Sequence, residues 1–188
     1  MEGVVILLVI IVVVAVAGVL IYNGLVARRN RVDEAVGQIE VQLKRRHDLV
    51  PNLVAAVKGY MDFEQDVLTR VTEARANAVA AGATGQVTAQ QAQAENALTG
   101  ALRSLFAVVE NYPQLKANEN VLSLQEQLTT TENQIGFSRQ HYNATVLDFN
   151  TGIATFPAVL LAGPLGFSKR EFFEAEPEAQ AVPQVQLR

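Results

Sequence analysis

The chain has 188 residues, 15 basic against 19 acidic side chains, few aromatics and no cysteine. The missing cysteine removes disulfides, thiolate metal sites and cysteine nucleophiles together, and the mild acidity leaves no electrostatic footprint for nucleic acid. After a membrane span, the remaining length suits one domain large enough for a core of its own.

Glu2 is the only charged side chain in the first three residues, which are expected outside the cytoplasm. From Val4 to Tyr22 nineteen residues carry no charge, and at about 1.5 Å per residue a helix of this length covers the roughly 30 Å of a bilayer's hydrocarbon. The β-branched content would suit a strand in water, but a lone strand in lipid leaves its backbone unpaired, so a helix is expected over residues 4–22. Arg28, Arg29 and Arg31 follow closely. The positive-inside rule then places the N-terminus outside and the following domain in the cytoplasm, so the membrane-proximal arginine trio reads first as a topology signal and only second as a contact to anionic headgroups. A cleaved signal peptide fits less well, because there is no basic n-region and the apolar run exceeds the usual range of about 7–15 residues.

Residues 24–156 are expected to form the domain. Leu25, Val32, Val36, Ile39, Leu43 and Val50 recur at helical spacing, which predicts a helix over about 25–47. Pro51 removes a donor and restricts Val50, so a break or kink is expected at 48–51, with a second helix over about 50–80. Thr88 and Gln91 fit a capping box opening a third helix, about 89–111, with Leu98, Leu102, Leu105 and Val109 as its stripe. A polar connection through Asn118 and Asn120 leads to the longest helix, about 120–156, whose stripe runs from Val121 to Phe156. Four amphipathic helices on short connections predict an all-α fold: an N-terminal transmembrane helix and an antiparallel up-and-down four-helix bundle.

Residues 157–167 are uncharged but rich in Gly and Pro, and are expected as an apolar loop touching lipid, another subunit or the open end of the bundle. Ser168 to Glu171 fits a second capping box, predicting a short helix to about residue 175. Residues 176–188 read as a disordered tail.

The chemistry-bearing residues do not assemble a catalytic pattern. His47 and His141 are the only histidines and neither has metal-ligand spacing, no serine lies in a nucleophile elbow, and the glycines of 82–85 lack the lysine and preceding strand of a phosphate loop. No enzyme, metal or cofactor is expected. Charges on or beside the apolar stripes carry more information: Arg46, Glu64, Glu132 and Arg139 must pair or reach water, and form a candidate buried polar network. A solvent-open pocket around Glu64 and Arg139 would argue for an enzyme instead. Asn143 and Asn150, weak helix formers seven residues apart, are candidates for hydrogen bonds across an interface. The run Lys44 to His47 could bind an acidic partner, but suits better a solvated helix end favoured by the helix dipole.

Several strings taken together resemble the bacterial LemA family: Tyr22-Asn23-x-Leu25-Val26, Gln42 to Val54 around Leu49-Val50-Pro51-Asn52-Leu53, Glu110-Asn111-Tyr112-Pro113 with Leu115 to Asn118, Thr131-Glu132-Asn133-x-Ile135, Arg139-x-x-Tyr142-Asn143, Phe156-Pro157 and Phe172-Phe173-Glu174. The resemblance implies a short outside N-terminus, one membrane helix and a cytoplasmic four-helix bundle with a hairpin at Pro51. It brings no catalytic residues. It implies loose links to envelope stress and, in one branch, to shaping an internal membrane. The expected function is a membrane-anchored scaffold of coiled-coil-like helices that forms homo-oligomers, with the bundle surfaces and residues 157–167 contacting other subunits or the lipid bilayer. The alternative is an adaptor that regulates a membrane-protein partner, such as a protease or sensor, through the acidic tail and basic helix ends.

Overall fold

The computed structural model describes residues 1–60, 64–83 and 87–173. Among these, the regular structure is entirely helical: α1 (Glu2–Lys58), α2 (Gln65–Gly82), α3 (Ala89–Val109), α4 (Pro113–Lys116), α5 (Glu119–Ala154) and α6 (Ala158–Ala162). The first 36 residues of α1 and the C-terminal part of α5 belong to one compact unit (Met1–Gly37 with Gln140–Arg170), and the rest to a second (Gln38–Arg139 with the described residues from Glu171 on).

Of the break or kink expected at 48–51, the break does not occur. α1 runs through Pro51 to Lys58, so the helices expected at 25–47 and 50–80 are replaced by one helix that ends at Lys58 and another that begins at Gln65. The chain turns after Val57, where Tyr60 N donates to the Val57 carbonyl at 3.0 Å. A proline inside a helix leaves the carbonyl four residues earlier without its amide donor. That carbonyl belongs to His47, and Arg75 Nε of α2 donates to it at 2.7 Å. The guanidinium thus replaces the missing donor and lets the helix continue.

In the second unit, Val50, Leu53 and Val57 of α1, Val67, Leu68 and Val71 of α2, Leu98, Leu102 and Leu105 of α3, Leu115 of α4 and Val121 and Leu128 of α5 bury one aliphatic core. Ala35, rather than Val36, is the buried residue of its turn. Thr88 Oγ1 accepts from Gln91 N at 3.1 Å, capping α3, and Asn118 Oδ1 accepts from Asn120 N and Val121 N, capping α5.

In the first unit, Leu25, Val32 and Ala35 of α1 and Tyr142, Val146, Phe149 and Ile153 of α5 are buried. Two expectations for its end are corrected. Part of the stretch read as loop, residues 158–162, is helical, and the helix expected after Ser168 is absent from 168–173. Asn150 explains the second: its Oδ1 accepts from Arg170 N and its Nδ2 donates to Arg170 O, both at 2.9 Å, so the carbonyl that would open a helical ladder is already engaged. Phe156, expected on the buried stripe, is exposed. The end of that expected helix, residues 174–175, and the expected tail, 176–188, lie outside the described residues.

Candidate functional site

The second unit contains a charged cluster whose Arg46 and Glu95 are fully buried. Arg46 continues the buried stripe of α1 and is fully buried. Its Nη2 is paired with the equally buried carboxylate of Glu95 on α3, and its Nη1 donates to Glu132 Oε2 of α5 at 2.5 Å and to Thr99 Oγ1 at 2.8 Å. Thr99 Oγ1 also lies 3.1 Å from Glu132 Oε1. One guanidinium therefore ties three helices together. A fork of planar donors suits this role, since it serves two carboxylates at once.

His47 Nε2 lies 3.0 Å from Glu95 Oε1, a contact that becomes a hydrogen bond when Nε2 carries the proton. Burial pushes the Glu95 carboxyl up, but the His47 contact and the Arg46 charge together outweigh it and hold the group below its ordinary value of 4.5. Glu132 is the cluster's outlet: about a third of its side chain is exposed, in an open groove also lined by Leu102, Arg103, Phe106, Leu128 and Asn133.

Of the four residues expected in a polar network, the structure brings Arg46 and Glu132 into this cluster. Glu64 is placed elsewhere, as the N-cap residue of α2. Arg139 belongs to a second arrangement, in which its Nη1 donates to Asn96 Oδ1 at 3.0 Å and its guanidinium stacks 4.4 Å from the Phe173 ring centroid. Among the described residues no group of three or more His, Asp and Glu could hold a metal ion.

The remaining expected residues lie in the first unit. Asn150 holds the Arg170 backbone, within the chain, while Asn143 is half-buried on α5. Arg28 and Arg31 both approach Asp148 Oδ2, at 3.6 and 3.7 Å, and Arg29 stacks 5.5 Å from the Phe167 ring.

The family signature covers most of the chain: the model of the LemA family matches residues 35–187. The chain belongs to the LemA family. It is similar to the magnetosome protein MamQ of Magnetospirillum gryphiswaldense, 26% identical over 178 residues covering 83% of this chain and 65% of MamQ. A magnetosome protein MamQ of Paramagnetospirillum magneticum is 25% identical with the same coverage, and the LemA protein of Metamycoplasma hominis is 26% identical over 153 residues, 81% of this chain and 68% of that protein. The chain thus spans about two thirds of the length of these relatives.

Sequence reasoning missed four members of the sites in this LemA-family chain: Glu95, Thr99, His47 and Asn96. Glu95 was findable, because the stripe Leu98, Leu102, Leu105, Val109 extended one step toward the N-terminus lands on it. A glutamate at a core position requires a cation, and Arg46 is the cation on the stripe of α1. His47 and Asn96 are side-of-stripe residues without such a signal.

Proposed function

We propose that this protein is a membrane-anchored helical scaffold that self-associates at the cytoplasmic membrane and contributes to membrane organisation. One observation carries the reading. The uncharged run from Val4 to Tyr22, none of it buried by the rest of the chain, and the core residues Val50, Leu53 and Val57 lie on the same unbroken helix α1. A helix that is apolar all round suits lipid, whereas one apolar stripe suits a helical core, and α1 changes from the first pattern to the second. Family membership and the magnetosome relatives support the membrane association. The domain is read as an up-and-down antiparallel bundle of the C-terminal part of α1 with α2, α3 and α5. The arginines after the run, against Glu2 before it, favour an outside N-terminus and a cytoplasmic domain.

Self-association draws support from large apolar side chains left exposed on the second unit, Val41 at 65% and Phe137 at 72%. The test is the mass distribution of the full chain in detergent and in lipid nanodiscs by mass photometry. Discrete assemblies that shrink in the variants Val41→Glu and Phe137→Glu are expected. A monomer in both media contradicts the reading, and a monomer that captures one stoichiometric membrane protein from its host favours the adaptor.

A further inference from the structure

We infer that the α5–α6 corner, Phe156 to Leu165, is a second membrane-contacting element that seats in the headgroup and upper acyl region of the bilayer α1 crosses. The inference rests on the anchor reading above and adds to it a specific lipid-binding surface.

Its position comes first. Within the first unit, one groove is lined by Ile21, Leu25 and Arg28 of α1 together with Thr155, Phe156 and Ala158. The Tyr22 and Phe167 rings meet edge-on at 5.9 Å between centroids, and Phe167 also meets Phe149 of α5 at 6.4 Å. The corner therefore lies beside the stretch of α1 where the uncharged run gives way to the first arginine, at the level expected for the membrane–water boundary.

Its surface comes second. From Phe156 to Phe167 there is no charged side chain. Phe156 is 75% exposed, Leu160 65%, Val159 48% and Leu165 44%. Four large apolar side chains exposed within ten residues are unusual for a surface in contact with water. α6 has five residues, far too short to cross a bilayer. The corner meets α1 at Ile21 and Tyr22, directly after the exposed apolar residues that run up to Leu20.

The corner is also pre-shaped. Phe167 N donates to Ala162 O at 2.9 Å and Gly166 N to Gly163 O at 3.0 Å, the paired bonds of a Schellman closure, with Gly166 supplying the left-handed backbone at φ 78°. That closure turns Phe167 back into the unit, where it is buried, and leaves Leu160 and Leu165 outside. The Asn150 bonds to Arg170 hold the outgoing strand of chain. A segment already folded loses little conformational freedom on meeting lipid.

The chain contains no tryptophan, so one introduced indole reports a single position. The full chain carrying Leu160→Trp, Phe156→Trp or Val12→Trp is reconstituted into phosphatidylcholine–phosphatidylglycerol vesicles whose acyl chains are brominated either near the headgroup or near the terminal methyl. Leu160→Trp and Phe156→Trp are expected to lose most of their emission to the head-proximal bromines, with little quenching by the deep bromines or by aqueous acrylamide. Val12→Trp is expected to be quenched by the deep bromines. If Val12→Trp is quenched by lipid while Leu160→Trp and Phe156→Trp are not, this inference fails and the anchor stands. Strong acrylamide quenching then marks a water-facing corner, and protection from both quenchers marks a corner covered by a second copy. Loss of lipid quenching at all three positions overturns the anchor as well.

Discussion

The two compact units spend the same residue types in opposite ways. The second buries an aliphatic core and also the charges of Arg46 and Glu95, both fully withdrawn from water, with Val41 and Phe137 left outside. The first buries a smaller core and leaves long stretches of apolar side chains outside, from Val4 to Leu20 and again at Phe156, Val159, Leu160 and Leu165, while its ion pairs between Asp148 and Arg28 or Arg31 lie at the surface. Burying an ion pair demands complete satisfaction, and exposing apolar surface demands a partner. The contrast teaches that the second unit closes a core around its buried charges, whereas the first keeps its charges at the surface and much of its apolar side-chain area open.

The largest way to break this contrast is to remove Arg46. Arg46→Ala strands the Glu95 carboxylate in the core, and loss of one partner of a buried pair costs about 3–5 kcal/mol, read as a lower urea midpoint by circular dichroism. A loss comparable to that of a surface pair would show that the cluster is not buried in solution. Asn150→Ala releases two backbone hydrogen bonds at Arg170, each contributing about 0.5–1.5 kcal/mol. The expected readout is faster amide exchange at Arg170 and nearby, with the second unit unchanged.

The Glu95 carboxyl sharpens the same point through pH. Its folded value lies below 4.5, so the folded state binds fewer protons than the unfolded chain at acid pH. The stability it contributes is full above 4.5 and is lost as the pH falls through the depressed folded value. Urea midpoints measured down that range should fall, and Glu95→Gln should flatten the slope. The smallest effect is expected from Asp148→Asn. Its pairs are at least a third exposed on both sides, so about 0–1 kcal/mol is at stake and added salt should erase the difference.

These residues also mark how far the sequence could be read. The uncharged run, the helical class, the Thr88 cap and the Asn118 start of α5 were legible because each depends on local spacing or on one side chain bonding its neighbours. The path through Pro51 was not, since it depends on Arg75, 28 residues from the His47 carbonyl it serves. The form of residues 168–173 was hidden for the same reason, because Asn150 lies 20 residues from Arg170. Arg46 and Glu132 stood out as charges against apolar stripes, but pairing them with Glu95 and Thr99 required knowing which helices meet. The placement of Glu64 at a helix start, away from the cluster, follows from α2 beginning at Gln65 rather than near residue 50.

The central claim is that α1 crosses the bilayer and carries its C-terminal part into a cytoplasmic domain. The absence of native cysteine makes single-cysteine labelling the direct measurement, with a membrane-impermeant maleimide applied to cells expressing Gly3→Cys or Arg45→Cys. The account predicts that Gly3→Cys reacts in intact cells and Arg45→Cys only after permeabilisation. Labelling of Arg45→Cys in intact cells, or of Gly3→Cys only after permeabilisation, would contradict it.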